Sequence, residues 1–284
     1  MRSISAGVAA VAASVVVGGA ATVGLTAGIA SAQPACPDVH WIGAAGSGER
    51  APADLTAYAG MGRVVSKSYR DFAAMVQQSG RTITAEAVNY PATPVPEDGG
   101  ALDWLGFMGS VDTGAAALGQ QYQAFVAQCP TSKVVLAGYS QGAMVVHRNL
   151  HALDASPNLA AALLVADGDR LPQDPTINIG SVVSVPDAGK GVAQDWPILA
   201  HAPAPLPPTM GARTISVCNL GDAVCDYDPD SEEEMNPAAV AVHTSYARST
   251  ATMDAWTVPL YQLAAAHPPV PAALTPLNAV TPAP

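Results

Sequence analysis

Ser140 lies between two glycines, each two residues away, in Gly138-Tyr139-Ser140-Gln141-Gly142. A serine hydroxyl does covalent chemistry when a base takes its proton and an acid orients that base. The apolar run Lys133–Ala137 precedes the motif, and the helical pattern opening Ala143-Met144-Val145-Val146 follows it. G-x-S-x-G between strand and helix is a nucleophile elbow, a turn so tight that the flanking positions must be small. The turn lifts the hydroxyl above the carboxyl edge of a sheet. The backbone N–H groups of Ser140 and Gln141 open the helix, where free donors and the positive dipole end favour an oxyanion.

In the chain order of α/β-hydrolases, the acid and then the histidine follow the serine. His147, His151, His201, His243 and His267 come after Ser140. His147 and His151 fall on the elbow helix, directed away from the nucleophile. His201 sits in the proline-rich His201-Ala202-Pro203-Ala204-Pro205, and His267 borders the C-terminal tail. His243, in Val242-His243-Thr244-Ser245-Tyr246, starts a segment after the last strand and is the best base. For the acid, Cys218-Asn219-Leu220-Gly221-Asp222-Ala223-Val224-Cys225 places Asp222 just past that strand, inside a small ring if the two cysteines pair. Asp226, Asp228 and Asp230 are rivals, but with Glu232, Glu233 and Glu234 they read as a solvated acidic loop. Asp167 and Asp169 also reach the sheet edge and read as turn formers.

The elements that must carry these residues alternate. Val39–Ala44 reads as a strand, Tyr58–Ser79 as an amphipathic helix and Thr82–Asn89 as a second strand. Pro91–Ser110 reads as a Pro- and Gly-rich loop carrying Trp104, Leu105 and Phe107. Val111–Gln128 is a helix, followed by the elbow strand and its helix to Leu153. Ala161–Ala166 and Thr214–Cys218 are the last two strands, and Pro237–Ala266 is mostly helix. Alternating β and α units predict a parallel sheet with helices on both faces, an α/β/α sandwich with five strands.

Four cysteines in an exported chain predict two disulfides. Cys36 and Cys129 each precede a strand by a few residues, and neighbouring parallel strands would bring them to one edge. Cys218 and Cys225 would close the small ring. No Cys/His cluster has the spacing of a metal site, and the expected chemistry needs neither metal nor cofactor.

With these pieces on the page, the chain resembles the cutinase family of secreted serine esterases. The resemblance rests on Gly138-Tyr139-Ser140-Gln141-Gly142, on the Cys-Asn-x-Gly-Asp-x-x-Cys loop at Cys218–Cys225, on His243 with Tyr246, and on Gly46-Ser47-Gly48-Glu49. It covers roughly Cys36 to Ala266. It implies Ser140, Asp222 and His243 as the catalytic set, Ser47 and Gln141 as oxyanion donors, and a fold of five parallel strands flanked by helices. Three features depart from the small fungal cutinases: the acidic insert before His243, the Pro- and Gly-rich connection Arg170–Ala212, and the long Pro91–Ser110 segment. They look more like actinobacterial cutinase-like proteins, whose substrates range from short esters to lipids.

Composition bounds the rest. Residues 1–32 have one charge, Arg2, and end in Ala30-Ser31-Ala32, the pattern of a cleaved signal peptide, so the expected product is secreted. Residues 33–267 form the expected single hydrolase domain, and the Pro- and Ala-rich 268–284 the expected disordered tail. Acidic residues outnumber basic ones, 23 to 12, which argues against a nucleic-acid partner. The expected partner is an ester or lipid substrate with transient contact to a lipid or cell-envelope surface, and the expected state a monomer. Trp104, Leu105 and Phe107 are expected to rim the acyl site, although core packing explains them as well. Phospholipase, thioesterase, acyltransferase, carbohydrate acetyl esterase and a non-enzymatic lipid-binding role stay open on sequence alone.

Overall fold

The structure, a computed structural model, describes residues 35–96, 101–196, 205–230 and 236–267. The 1–32 leader, His201, the 231–235 part of the acidic insert and the 268–284 tail lie outside the described residues. The chain order is β1 (Val39–Ala44), α1 (Pro52–Ala57), α2 (Arg63–Gln78), β2 (Ile83–Ala87), α3 (Ala101–Gln128), β3 (Lys133–Tyr139) and α4 (Gln141–Leu153). Then come β4 (Leu159–Val165), β5 (Ile177–Ile179), α5 (Pro208–Gly211), β6 (Thr214–Val217), α6 (Pro237–His243) and α7 (Thr250–Ala266).

The sheet has the order β2-β1-β3-β4-β6-β5, and every pairing is parallel. Successive residues of β1 point to opposite faces, as the period of a strand requires. Trp41 packs with Phe72, Leu163, Trp256 and Leu260 on the side of α2 and α7. Ile42 packs with Leu118, Leu136, Met144 and Leu150 on the side of α3 and α4. The central strands β1, β3 and β4 are buried along their whole length, the continuous apolar pattern expected of a sheet covered on both faces. This is the three-layer α/β/α sandwich.

Six strands stand where five were expected. The extra one, β5, is three residues long and pairs with the edge of β6 through Ile177↔Ile215 and Ile179↔Val217. A three-residue run gives too little alternation to register in sequence. The Pro91–Ser110 segment is likewise not all loop, since α3 starts at Ala101. Its prolines, at 91, 94 and 96, all precede the helix, and a Cβ at Gly106 or Gly109 would meet nothing within 4 Å. Those glycines sit on the open face of the helix and do not break it. The stretch read as one helix over Tyr58–Ser79 begins at Arg63, after a separate short α1.

Both expected disulfides form. Cys36–Cys129 has a Cα–Cα distance of 5.5 Å, and Cys218–Cys225 one of 5.9 Å. β1 and β3 are neighbours with Val39 opposite Lys133, which is why the first pair meets at their amino ends.

Candidate active site

β1 and β3 lie side by side while their crossovers leave in opposite directions, to β2 and to β4. Such a switch point opens a crevice at the carboxyl ends of the strands. Ser140 sits there, between the last residue of β3 and the first of α4, with φ 55° and ψ −122°. A Cβ on Gly138 would come within 2.1 Å of Gly142 O, and one on Gly142 within 2.3 Å of Ala44 O. Both positions therefore have to be glycine. The helix doubles back onto the strands, and Ser140 is held in a left-handed conformation that few side chains adopt.

His243, the last residue of α6, reaches the serine: its Nε2 is 3.0 Å from Ser140 Oγ. Its Nδ1 lies 3.0 and 3.1 Å from the two carboxylate oxygens of Asp222. An ionised carboxylate can only accept, so Nδ1 carries the hydrogen and Nε2 presents its lone pair to the serine hydroxyl. Asp222 is fully buried. Burial works to raise its pKa, but the His243 contact and the amides of Cys225 and Val224 outweigh it and hold the carboxyl below the usual range. Those amides donate to Oδ1 at 3.0 and 2.7 Å, and Tyr246 OH donates to Oδ2 at 2.8 Å.

Two tyrosines brace this line. Tyr139 OH donates to the carbonyl of His243 at 2.8 Å, and its ring stacks on the imidazole with centroids 5.2 Å apart. Tyr246 OH also accepts from Asn219 N at 3.0 Å, so the acid is tied to its own ring. Sequence reasoning quoted Tyr139 and Tyr246 without roles. Only the close packing of the elbow, the disulfide ring and α6 supplies them.

The rivals for the acid lie elsewhere. Asp226 accepts from Gly189 N at 2.6 Å and Gly221 N at 2.7 Å, so it braces the ring and is not the freely solvated residue expected. Asp228 and Asp230 are exposed. Asp167 is buried against His147, whose Nδ1 is 2.6 Å from its Oδ2. Burial opposes a charge on His147, yet the carboxylates of Asp167, Asp169 and Asp174 outweigh it and raise its pKa to about 9. This pair ties α4 to the crossover after β4, so Asp167 is committed to His147.

The expected oxyanion donors are Ser47 and Gln141. The other amide at the elbow, that of Ser140, donates to Val165 O at 2.9 Å and is committed to β4. Gln141 is the first residue of α4, so its amide has no acceptor within the helix. Its side chain is held by Ser110 Oγ at 3.4 Å and Thr93 O at 3.3 Å. Ser47 follows β1 on the adjacent strand, at the same edge of the sheet. Phe107 is buried in the core, Trp104 packs on it and on Trp196, and Leu105 stays 53% exposed. Among the described residues no three His, Cys, Asp or Glu side chains are grouped to hold a metal ion.

The sheet, the elbow and the Ser140–His243–Asp222 line define an α/β protein built like a serine hydrolase. The chain belongs to the cutinase family, whose model matches residues 35–259. It is 29% identical to a cutinase of Hypocrea jecorina over 180 residues, 63% of this chain and 53% of that one, so it spans about half of that relative's length. It is 28% identical to the phospholipase Culp4 of Mycobacterium tuberculosis over 207 residues, 72% of this chain and 75% of that one. A cutinase-like protein from Cryptococcus sp. shares the fold with a TM-score of 0.56 at 20% identity, covering 82% of this chain and 96% of that one.

Proposed function

We propose that this chain is a secreted serine esterase that hydrolyses carboxylic esters with short- to medium-chain or lipid acyl groups. The observation that carries the reading is the unbroken hydrogen-bonded line from Ser140 Oγ through His243 to the buried carboxylate of Asp222. In the first half-reaction His243 Nε2 takes the hydroxyl proton as Ser140 Oγ attacks the ester carbonyl. The oxyanion is held by the amides of Ser47 and Gln141, each such donor being worth roughly 3–4 kcal/mol. His243 then protonates the leaving alcohol. In the second half His243 takes a proton from water as its oxygen attacks the acyl carbonyl, the C–Oγ bond breaks, and His243 returns the proton to Ser140 Oγ as the carboxylic acid leaves. Asp222 stays ionised throughout and steadies the imidazolium.

A lipid-directed reading has support of its own. The similarity to a phospholipase spans three quarters of that relative, and Leu102 and Leu105, on the first turn and a half of α3, are exposed by 82% and 53%. Two disulfides suit an oxidising compartment, in keeping with secretion. Initial rates on p-nitrophenyl esters from acetate to palmitate, run beside phosphatidylcholine vesicles, test the reading. Hydrolysis that Ser140→Ala abolishes supports it, and the rank order of acyl lengths and of the phospholipid fixes the substrate class. Equal rates with Ser140→Ala contradict it.

A further inference from the structure

Glu49 carries a carboxyl that the triad does not use. Its Oε2 accepts from Gly46 N at 2.8 Å, and its Oε1 from Arg63 N at 3.0 Å. It therefore joins the segment leading to Ser47 with the first residue of α2. The chain makes room for it: a Cβ on Gly62, itself at φ +74°, would stand 2.1 Å from Glu49 Oε2. A Cβ on Gly46 would meet the Tyr139 ring at 2.7 Å and Glu49 Oε2 at 3.0 Å. Glu49 and the Tyr139 ring thus close on Gly46 from two directions, and Tyr139 in turn stacks on the His243 imidazole.

We propose that Glu49 is a positioning residue for the reaction, fixing the oxyanion segment on α2 and adding a second negative charge to the Tyr139–His243 stack. The proposal rests on the reading that Ser140, His243 and Asp222 hydrolyse esters. The brace has a direct consequence: the amide of Ser47 can serve as an oxyanion donor only if its turn is rigid. That turn is held at Gly46 by Glu49, and at Gly48 by a bond from its amide to Ala92 O at 2.8 Å. The charge matters because the imidazolium formed in both half-reactions is stabilised by nearby anions.

Burial pushes the Glu49 carboxyl above the usual carboxylate range, and Asp54 adds to this. The amides of Arg63 and Gly46 and the charge on His243 pull the other way. The other groups facing it are Tyr90 and Tyr139, whose hydroxyls its charge helps to raise. Arg50 is committed to Gly60 O, Val88 O and Asn89. Protonation of Glu49 weakens its two accepted bonds and removes that charge together, so acidification loosens the Ser47 turn as it withdraws an anion from the stack.

The test is the pH profile of kcat and KM on a soluble p-nitrophenyl ester for wild type, Glu49→Gln, Glu49→Asp and Ser140→Ala. Glutamine can accept one of the two N–H groups but presents a donor to the other. Glu49→Gln should lower kcat roughly ten- to a hundredfold with little change in KM. Its acid limb should move to lower pH. Glu49→Asp, which keeps the charge but not the reach, should lose part of kcat and keep the limb where it is. A lowered kcat with an unmoved limb overturns the proposal, because a mere brace does only that. An unchanged enzyme overturns it too, provided Ser140→Ala is inactive. If Ser140→Ala is active, the reading of the site itself has failed. Should Glu49→Gln not fold, Glu49→Asp decides: a lowered kcat at unchanged KM supports the link, and an unchanged kcat overturns it.

Discussion

Asp222 is surrounded by donors: two amides of its own ring, the His243 imidazole and the Tyr246 hydroxyl. A carboxylate so placed can remain charged though fully buried, because every hydrogen bond favours the ionised form. Asp222→Asn should keep the fold and the disulfide ring while lowering turnover by about 10³–10⁴, since the amide supports the wrong imidazole tautomer and cannot steady the imidazolium. Steady-state kinetics on a soluble ester check this, and a loss below tenfold contradicts the assignment. Tyr246→Phe removes one bond to Asp222 and leaves the Asn219 amide without its acceptor. It should lower the unfolding free energy by about 1–3 kcal/mol, measured by chemical denaturation. At this scale the sequence was informative where chemistry restricts the residue type. That Ser140, His243 and Asp222 meet was expected from spacing, chain order and the family resemblance, whereas the bonds of Asp226 were not. Its two bonds run to Gly189 and Gly221, and the first of these partners lies in a crossover whose path no local pattern reveals.

Among the elements, α3 repays the closest look. Its first turns were hidden because Gly106 and Gly109 resemble loop residues until the helix is seen to expose them. Phe107 and Leu105 sit two residues apart, so they face different surroundings, core and solvent. Phe107→Ala should cost about 3–5 kcal/mol by cavity formation. Leu105→Ala should change stability by less than about 0.5 kcal/mol and shift the preferred acyl length if the proposed rim is correct. Denaturant unfolding paired with the ester series separates the two. α4 carries a second testable feature. His147 lies between Asp167 and Asp174, and Asp174 in turn accepts from Leu206 N at 2.8 Å. Its pKa is raised from 6.5 to about 9 in the folded protein, so the native state holds a proton that the unfolded chain has released. The stabilisation is complete below about pH 6.5 and is lost as pH rises through 9, on the order of 3 kcal/mol in all. Melting temperature should fall over that range, and His147→Asn should be less stable at pH 7 and show a flatter fall. Nothing in the sequence marks this pair, because residues 20 apart meet only once α4 lies along β4.

The molecule as a whole combines a sheet covered on both faces with two staples. Its architecture was legible because alternating strands and helices leave few topologies to choose from. Among the strands of the described residues, only the short edge strand β5 escaped. The Cys36–Cys129 bridge spans 93 residues. Its removal in a Cys36→Ser, Cys129→Ser variant should cost about 4–5 kcal/mol in the chain-entropy model, with catalysis at 25 °C retained. Differential scanning calorimetry and ester turnover on the same sample check both halves of that statement. The central claim is narrower: sheet, elbow, disulfide ring and α6 converge to make one serine nucleophilic. The most direct measurement is the mass of the intact protein after reaction with a fluorophosphonate, followed by peptide mapping. The account predicts one adduct per chain, located on Ser140, absent in Ser140→Ala and much slower to form in His243→Ala. An unlabelled wild-type protein, or an adduct on any other residue, would contradict it.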